Sequence, residues 1–265
     1  MLYSCVHNIV HIKFLNKRVG KTATSVSLSV GLAKMGKKVL VLDNDPQGSL
    51  TISMGYQQPD EIKTTMFNIM QQMIERKLTL KPEEYILNSE DVDFIPSNTR
   101  LSLIEFSLVN IMNRENKLKM FLNTLRDQYD FIIIDCGPSL GMLTINALVA
   151  ADSVIIPVQA SFLATKGLEA LLKSISNVKM EINPQLKIEG ILVTMYDGRT
   201  NFSKDIAEFI ADNYGSHIRI YKSYIPMSVK AGETTITGKS IHTYNKNGKV
   251  AKSYMNLVKE VLENG

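Results

Sequence analysis

Short apolar runs alternate with longer stretches of helical spacing along most of the chain. The apolar runs lie at 37–43, 129–135, 152–158 and 188–194 and are rich in β-branched residues. Runs of this kind are typical of strands that are buried on both faces of a parallel sheet. The stretches between them predict helices over 21–35, roughly 100–127, 140–150 and 164–180. This alternation predicts an α/β fold, a doubly wound and mostly parallel sheet with helices on both faces.

Both ends of the chain carry further elements. Residues 9–15 (IVHIKFL) predict the first strand, although His11 and Lys13 make it more polar than a central strand usually is. Apolar residues at helical spacing predict a last helix over about 249–263, amphipathic and packed on the domain. A helix lying on a membrane surface is the alternative for that segment.

Composition and length are those of a globular protein. The chain has 265 residues, 45% of them hydrophobic and 21% charged, and no apolar run is long enough to cross a bilayer. Cys5 and Cys136 form neither a disulfide framework nor a metal-ligand cluster, and no small-residue cleavage site follows the first residues. We therefore expect a cytoplasmic protein with a single domain over 1–265, in which 1–18 is an atypical N-terminal segment.

The first candidate for chemistry follows the first predicted strand. Gly20, Lys21 and Thr22 stand at the start of a predicted helix, where backbone N–H groups favour a phosphate. A lysine in this position reaches the β- and γ-phosphates of a nucleotide, and a threonine hydroxyl binds Mg²⁺. The triplet alone also arises by chance, so it needs support from elsewhere in the chain.

Acidic residues follow two further strands. Asp43 and Asp45 begin the run DNDPQGS, where paired carboxylates hold hydrated Mg²⁺ and orient a water for attack on a γ-phosphate. An Asx-turn or helix cap made by Asp45 is the structural alternative. Asp135 ends an apolar strand in IIIDCGPS, which is typical of a carboxylate that contacts Mg²⁺ through water or the Thr22 hydroxyl. Three such motifs after three strands predict a single binding site, because ligands of this fold bind at the C-terminal ends of the strands.

With these motifs the chain resembles the ParA family of partition ATPases, of the ParA, Soj and MinD type with a deviant Walker A loop. The resemblance rests on residues 20–51, 129–159, 190–200 and 238–262, and DNDPQG with IIIDCGPSLG is its most specific part. It implies a P-loop NTPase-like domain that binds ATP and Mg²⁺ and forms an ATP-dependent homodimer. It also implies non-specific DNA binding, nucleoid association and hydrolysis stimulated by a ParB-type centromere-binding partner.

The resemblance also implies roles for single residues. Lys21 would be the P-loop lysine, and Thr22 would bind Mg²⁺ with support from Asp43 and Asp135. Asp45 would position the hydrolytic water. The remaining nucleotide contacts would come from Val19, Gly20, Ala23 and Asp197, the last of them at the base pocket.

Positive charge is concentrated near the C-terminus. From Gly215 onward there are eight Lys and Arg residues against three Glu, whereas the preceding chain has 22 basic and 23 acidic residues. A solvated surface explains such an excess, but so does an anionic partner, and non-specific DNA binding rests on basic side chains. The candidates are Arg199, Arg219, Lys222, Lys230 and Lys252. The family often carries an arginine-rich run after "IP", whereas this chain reads IPMSVKAGE, with Met227 in place of an arginine and Lys230 nearby.

The loop before Gly20 departs from the family. Asn16, Lys17 and Arg18 stand where the family has Lys-Gly-Gly, and glycines there allow positive φ and close approach to phosphate. Three explanations remain open. Lys17 serves as the displaced cross-subunit lysine, or ATP is bound and hydrolysed poorly, or a shifted reading frame changed residues upstream of Val19, which the encoding DNA would reveal.

The sequence therefore favours a ParA-like, Mg²⁺-dependent ATPase for plasmid or chromosome partition. The first alternative is a catalytically impaired ParA-like protein that binds DNA or a partner without turnover. The second is a MinD-like membrane-cycling ATPase, although DNDPQG and the weakly basic last helix favour partition, and no stable membrane association is expected.

Overall fold

The computed structural model describes residues 8–12 and 19–263. A seven-stranded sheet runs through it in the order β3-β4-β2-β5-β1-β6-β7. The strands are β1 (Asn8–Ile12), β2 (Val39–Asn44), β3 (Leu87–Ser89), β4 (Val92–Ile95), β5 (Phe131–Cys136), β6 (Ser153–Gln159) and β7 (Lys187–Thr194). All pairings between these strands are parallel except that of β3 with β4, so the predicted α/β sheet is confirmed.

Helices connect the strands and cover the sheet. The longer ones are α1 (Lys21–Lys34), α3 (Met66–Glu75), α7 (Met142–Ala150), α8 (Phe162–Glu181), α9 (Asn201–Tyr214), α10 (Val229–Thr237) and α12 (Lys249–Leu262). The shorter ones are α2 (Ser49–Ser53), α4 (Pro82–Tyr85), α5 (Ser102–Ser107), α6 (Lys117–Leu122) and α11 (Ile241–Tyr244).

The hydrophobic core has two layers because side chains alternate across each strand. Leu40 and Leu42 of β2 belong to one cluster, which also holds buried residues of α7, α8 and α9. Val39 and Val41 belong to the other cluster, which holds buried residues of α1, α2 and α12. The strands are thus buried on both faces, which is why their sequences are nearly continuous apolar runs.

The strand register positions the acidic motifs. β2 and β5 are neighbours, and Asp43 is paired with Asp135 across them. β1 lies between β5 and β6 at the centre of the sheet. The C-terminal ends of β1, β2 and β5 therefore lie side by side at the same edge of the sheet.

The prediction of one long helix over roughly 100–127 is wrong. The segment forms the short helices α5 and α6, separated by turns in which Asn113 adopts a left-handed φ of 57°. An L-residue in that conformation interrupts a right-handed helix. The first predicted strand begins at Asn8 and its described part ends at Ile12, while residues 13–15 lie outside the described residues.

The amphipathic interpretation of the last helix is confirmed. Val250, Tyr254, Leu257, Val258 and Val261 are buried in the layer that includes α1. The apolar face is therefore covered by the rest of the protein and does not form a membrane-facing surface. Within the described ranges, we find no helix long and apolar enough to cross a membrane.

The contact of α12 with α1 makes a testable prediction at Gly31. A Cβ placed there would lie 2.5 Å from Cγ2 of Val258. Gly31→Ala gains about 1 kcal/mol of helix propensity, but overpacking costs about 1–3 kcal/mol. We expect the free energy of unfolding to fall by about 1 kcal/mol in urea denaturation.

Gly232→Ala in α10 is the matched control, because among the described residues no heavy atom lies within 4 Å of a Cβ there. It is expected to raise the free energy of unfolding by about 0.5–1 kcal/mol. Equal stabilisation by both substitutions would contradict the close packing of α1 on α12.

Candidate functional site

The start of α1 and the loops that follow β2 and β5 surround a cleft of about 1020 Å³. Its lining includes Val19 to Ala23, Asn44 to Gln47 and Gly137 to Ser139. Residues of α10 and α12 form another part of the wall. The structure therefore brings together the three motifs that the sequence places after three different strands.

Local contacts hold Val19 and Gly20, the part of the candidate phosphate loop that the structure describes. Gly20 has a φ of 80°, which favours glycine, and it forms the N-cap of α1. The carbonyl oxygen of Val19 accepts a hydrogen bond of 2.9 Å from Oγ1 of Thr194 at the end of β7. This contact holds the start of α1 against the sheet and directs its first N–H groups towards the cleft.

Lys21 lies in the first turn of α1 and is buried. Burial lowers the pKa of its ammonium group, while the charges of Asp135 and Asp45 act in the opposite direction. A buried cation beside two carboxylates suits a site for a multiply charged anion, because the ammonium group is poorly hydrated and held by the helix.

Asp135 and Thr22 form the contact that joins β5 to α1. Oγ1 of Thr22 donates a hydrogen bond of 2.8 Å to Oδ2 of Asp135, and Oγ of Ser25 donates one of 2.8 Å to Oδ1. Burial raises the pKa of Asp135 to about 6, although these two hydrogen bonds lower it. A cation near Thr22 would stabilise the ionised carboxylate, which is the arrangement expected around a hydroxyl-bound Mg²⁺.

Asp45 of the second motif is half-buried, lines the cleft and lies against Gly137 of the third motif. Its Oδ1 accepts a hydrogen bond of 3.0 Å from the N–H group of Gln47, so the Asx-turn considered from the sequence is present. A Cβ on Gly137 would lie 3.0 Å from Cγ of Asp45. The glycine thus allows the carboxylate to lie directly against the loop that follows β5.

Asp43 lies behind the cleft, on the strand next to Asp135. Its Oδ2 accepts hydrogen bonds from the N–H and hydroxyl groups of Thr51, at 2.8 and 2.7 Å, and its Oδ1 accepts one of 3.2 Å from the N–H group of Asp45. Burial, followed by the charge of Asp135, raises the pKa of Asp43 to about 8. Its observed contacts hold both ends of the loop that carries Asp45, which differs from the expected support of a metal.

Asp197 also differs from expectation. It forms two hydrogen bonds with the guanidinium group of Arg199, at 2.8 and 2.9 Å, and does not line the cleft, whereas Met195 does. Hydrogen bonds from Arg199 lower the pKa of Asp197 to about 2. The expected base-pocket residue is thus paired with a candidate DNA-binding residue.

Sequence reasoning missed Glu105 of α5. Glu105 lines the cleft, and its Oε1 lies so close to Gly141 that no Cβ fits there. The same oxygen faces the N–H group of Leu143 in the first turn of α7, at 3.5 Å. The only sequence signal was a glycine directly before an apolar helix, and it does not reveal a partner 36 positions earlier.

The candidate DNA-binding residues fall into two groups. Arg219 forms an ion pair of 3.3 Å with Glu260 and lies over the ring of Tyr221, and Arg199 is paired with Asp197. The remaining candidates are exposed lysines, namely Lys222, Lys230 and Lys252. The residues Asn16, Lys17 and Arg18 of the atypical loop lie outside the described residues.

The residues that line the cleft fit a nucleotide with Mg²⁺. The volume exceeds what an ATP molecule needs, and the wall combines a helix N-terminus, a lysine and a hydroxyl group. No three His, Cys, Asp or Glu side chains in the described ranges are grouped as a ready-made metal site.

Comparison with known proteins identifies the family. A family model described as an AAA domain matches residues 8–188. The sporulation initiation inhibitor protein Soj of Bacillus subtilis is 40% identical, over 93% of this chain and 95% of its own length. The chain belongs to the ParA family of partition ATPases. The chromosome partitioning protein ParA of Myxococcus xanthus is 36% identical, over 98% of this chain and 90% of its own length.

A solved structure agrees with this family assignment at the level of the fold. The cobyrinic acid a,c-diamide synthase of Mycobacterium smegmatis with bound ADP and magnesium is 31% identical, with a TM-score of 0.83. The match covers 97% of this chain and 94% of that one. The same enzyme has also been solved with an ATP analogue and magnesium. The resemblance inferred from the motifs is therefore confirmed, as is the P-loop NTPase-like fold.

Proposed function

We propose that this protein is a Mg²⁺-dependent ATPase that acts in plasmid or chromosome partition. The observation that carries the proposal is the hydrogen bond from Thr22 to the buried Asp135, at a cleft lined by Lys21, Thr22 and Asp45. A related structure holds an ATP analogue and magnesium, which supports the same ligands here.

Each residue has a physical role in this proposal. The N–H groups at the start of α1 and the ammonium group of Lys21 bind the phosphates. The hydroxyl group of Thr22 binds Mg²⁺, with Asp135 as its hydrogen-bond partner, and the ion neutralises charge on the phosphates. Asp45 orients the attacking water, and Asp43 holds the loop on which Asp45 lies.

The proposal includes a DNA-binding surface on one layer of the protein. Tyr221, Ile225 and α12 pack in the same core cluster, and Ala231 of α10 packs against it. Lys222, Lys230 and Lys252 extend from these segments into solvent. Exposed lysines on one layer provide the phosphate contacts that non-specific DNA binding needs. We further propose an ATP-dependent homodimer and a ParB-type partner that stimulates hydrolysis.

Two alternatives have different support. The replacement of Lys-Gly-Gly by Asn16, Lys17 and Arg18 favours a protein that binds ATP with little turnover. The MinD-like alternative is disfavoured because the apolar face of α12 is buried against the domain. Partition remains the proposed process in either case, and turnover separates the ATPase from the impaired binder.

The DNA arm of the proposal is tested by changing Lys222, Lys230 and Lys252 to alanine together. We expect ATP-dependent retention on non-specific duplex DNA to weaken at every sequence. The slope of log affinity against log salt concentration should decrease by about one for each lysine that contacts a phosphate. Fluorescence anisotropy with a labelled duplex at several salt concentrations measures both quantities.

The matched control changes three exposed lysines of the opposite layer, Lys173, Lys179 and Lys204. This variant should bind DNA like the wild type, and an equal loss in both variants would reject the surface. Steady-state ATP hydrolysis of the wild type with Mg²⁺ and DNA is measured alongside. If the protein binds DNA in the presence of ATP but does not hydrolyse ATP, the ATPase proposal is rejected. The catalytically impaired binding protein is then the function that fits.

A further inference from the structure

The turn between β3 and β4 has an unusual conformation. Glu90 and Asp91 both have positive φ, at 50° and 62°. Two-residue hairpin turns of this type strongly prefer asparagine, aspartate or glycine, because other side chains are strained in left-handed backbone. The backbone conformation of the turn disfavours glutamate at position 90. The contacts that its side chain makes elsewhere therefore explain why it stands there.

Glu90 accepts three short hydrogen bonds from a distant segment. Its Oε1 accepts one of 2.6 Å from the N–H group of Ser240. Its Oε2 accepts one of 2.6 Å from the hydroxyl group of Ser240 and one of 2.7 Å from that of Thr243. The carboxylate thus holds the start of α11, about 150 positions further along the chain.

The segment held by Glu90 is a wall of the nucleotide cleft. Lys239, Ser240 and Ile241 line the cleft, together with Ser27 of α1. The ring nitrogen Nε2 of His242 lies 2.9 Å from the carbonyl oxygen of Ser27, so α11 is held by α1 on its other side. The side chain of Glu90 does not line the cleft, so it holds this wall from outside.

We propose that Glu90 is a positioning residue for nucleotide binding, which fixes the wall formed by Lys239, Ser240 and Ile241 from outside the cleft. This inference rests on the proposed function. Without the three hydrogen bonds, the wall samples other positions, and binding of a nucleotide then requires that it be ordered first. The effect is therefore expected in affinity and not in the chemical step.

The carboxylate of Glu90 is suited to this role because it is ionised. Burial alone would raise its pKa, but the hydrogen bonds from Ser240 and Thr243, with the nearby charge of Lys34, lower it. Hydrogen bonds to a charged acceptor are stronger than those between neutral groups. The hairpin therefore holds the wall more firmly than a neutral side chain would.

The test compares Glu90→Ala with Asp91→Ala, which changes the exposed neighbour in the same turn. The dissociation constant of a non-hydrolysable ATP analogue with Mg²⁺ is measured by calorimetry on the full chain. We expect Glu90→Ala to weaken binding about fivefold and Asp91→Ala to stay within about twofold of the wild type. Glu90→Gln should restore most of the affinity, since its amide oxygen accepts and the two hydroxyl groups can accept from its amide N–H.

A second variant keeps the test decisive if Glu90→Ala does not fold. Thr243 is exposed and donates one of the three hydrogen bonds to Glu90. Thr243→Val removes this hydrogen bond without changing the side-chain shape, and it should weaken nucleotide binding about twofold. Hydrogen exchange of the amides from Ser240 to Tyr244 should become faster in Glu90→Ala and in Thr243→Val without nucleotide.

The outcomes distinguish this inference from the proposed function. A wild type that binds no nucleotide would overturn the proposed function, and this inference with it. A wild type that binds, together with Glu90→Ala of lower thermal stability but equal affinity, would overturn only the inference and leave Glu90 a purely structural residue. Unchanged exchange from Ser240 to Tyr244 would overturn it as well.

Discussion

Alanine in place of Lys21 is expected to lower kcat/KM for ATP by about 100- to 1000-fold, the usual cost of losing one preorganised charged group at a transition state. Lys21 is the buried cation at the start of α1, beside Asp135 and Asp45. Its removal withdraws a positive charge from the start of α1 and leaves the two carboxylates to repel the nucleotide. Both ATP affinity and turnover should fall, and they are measured by calorimetry and by steady-state hydrolysis with Mg²⁺.

Lys34→Ala is the matched control for Lys21→Ala. Lys34 lies in the last turn of the same helix and is exposed. Its replacement therefore changes the net charge and the composition of α1 by the same amount as Lys21→Ala does. It should leave hydrolysis within about twofold of the wild type. Comparable activity in Lys21→Ala and the wild type would show that phosphate binding occurs elsewhere, and would reject the cleft as the ATP site.

The positions of the site motifs could be predicted because they depend on local sequence and one rule of topology. Gly20-Lys21-Thr22 and Asp45 each follow a predicted strand, and Asp135 ends one. Parallel strands present their C-terminal ends on one edge, so the motifs had to converge. The register that pairs Asp43 with Asp135 was not predictable, because it depends on which strands are neighbours.

The residues that the sequence did not reveal act through contacts between distant segments. Glu105 lies against Gly141, and Glu90 accepts hydrogen bonds from Ser240. In the sequence, neither glutamate belongs to a recognisable motif, and only the tertiary structure shows its partner. The hydrogen bonds of Asp43 are a similar case, since Thr51 in the next helix donates to its carboxylate.

Two buried carboxyl groups near the cleft have raised pKa values. Asp43 and Asp135 are buried on adjacent strands, and burial raises the pKa of both, to about 8 and about 6. Buried carboxylates that are costly to ionise become favourable when a divalent cation is near. A divalent cation bound beside Thr22 would stabilise the ionised form of Asp135, which accepts a hydrogen bond from Thr22.

Asp45→Asn is expected to lower kcat by about 100- to 10,000-fold, the range for loss of a positioned acid–base group. The asparagine side chain has the same size, and its Oδ1 can still accept from the N–H group of Gln47, so the Asx-turn is kept. Binding of ATP should change by less than about threefold, because phosphate contacts from Lys21 and Thr22 remain. Single-turnover hydrolysis and calorimetry measure the two effects separately.

Because Asp45→Asn separates turnover from binding, it also tests the link to DNA. Under the proposed function, a variant that binds ATP without hydrolysing it should stay on DNA longer than the wild type after free ATP is removed. Asp127→Asn, which changes an exposed aspartate remote from the motifs, should behave like the wild type in both assays. If Asp45→Asn loses ATP affinity as strongly as it loses turnover, Asp45 is a binding residue and the water must be oriented by another group. Glu105 is then the next carboxylate to test, since it lines the same cleft beside the first turn of α7.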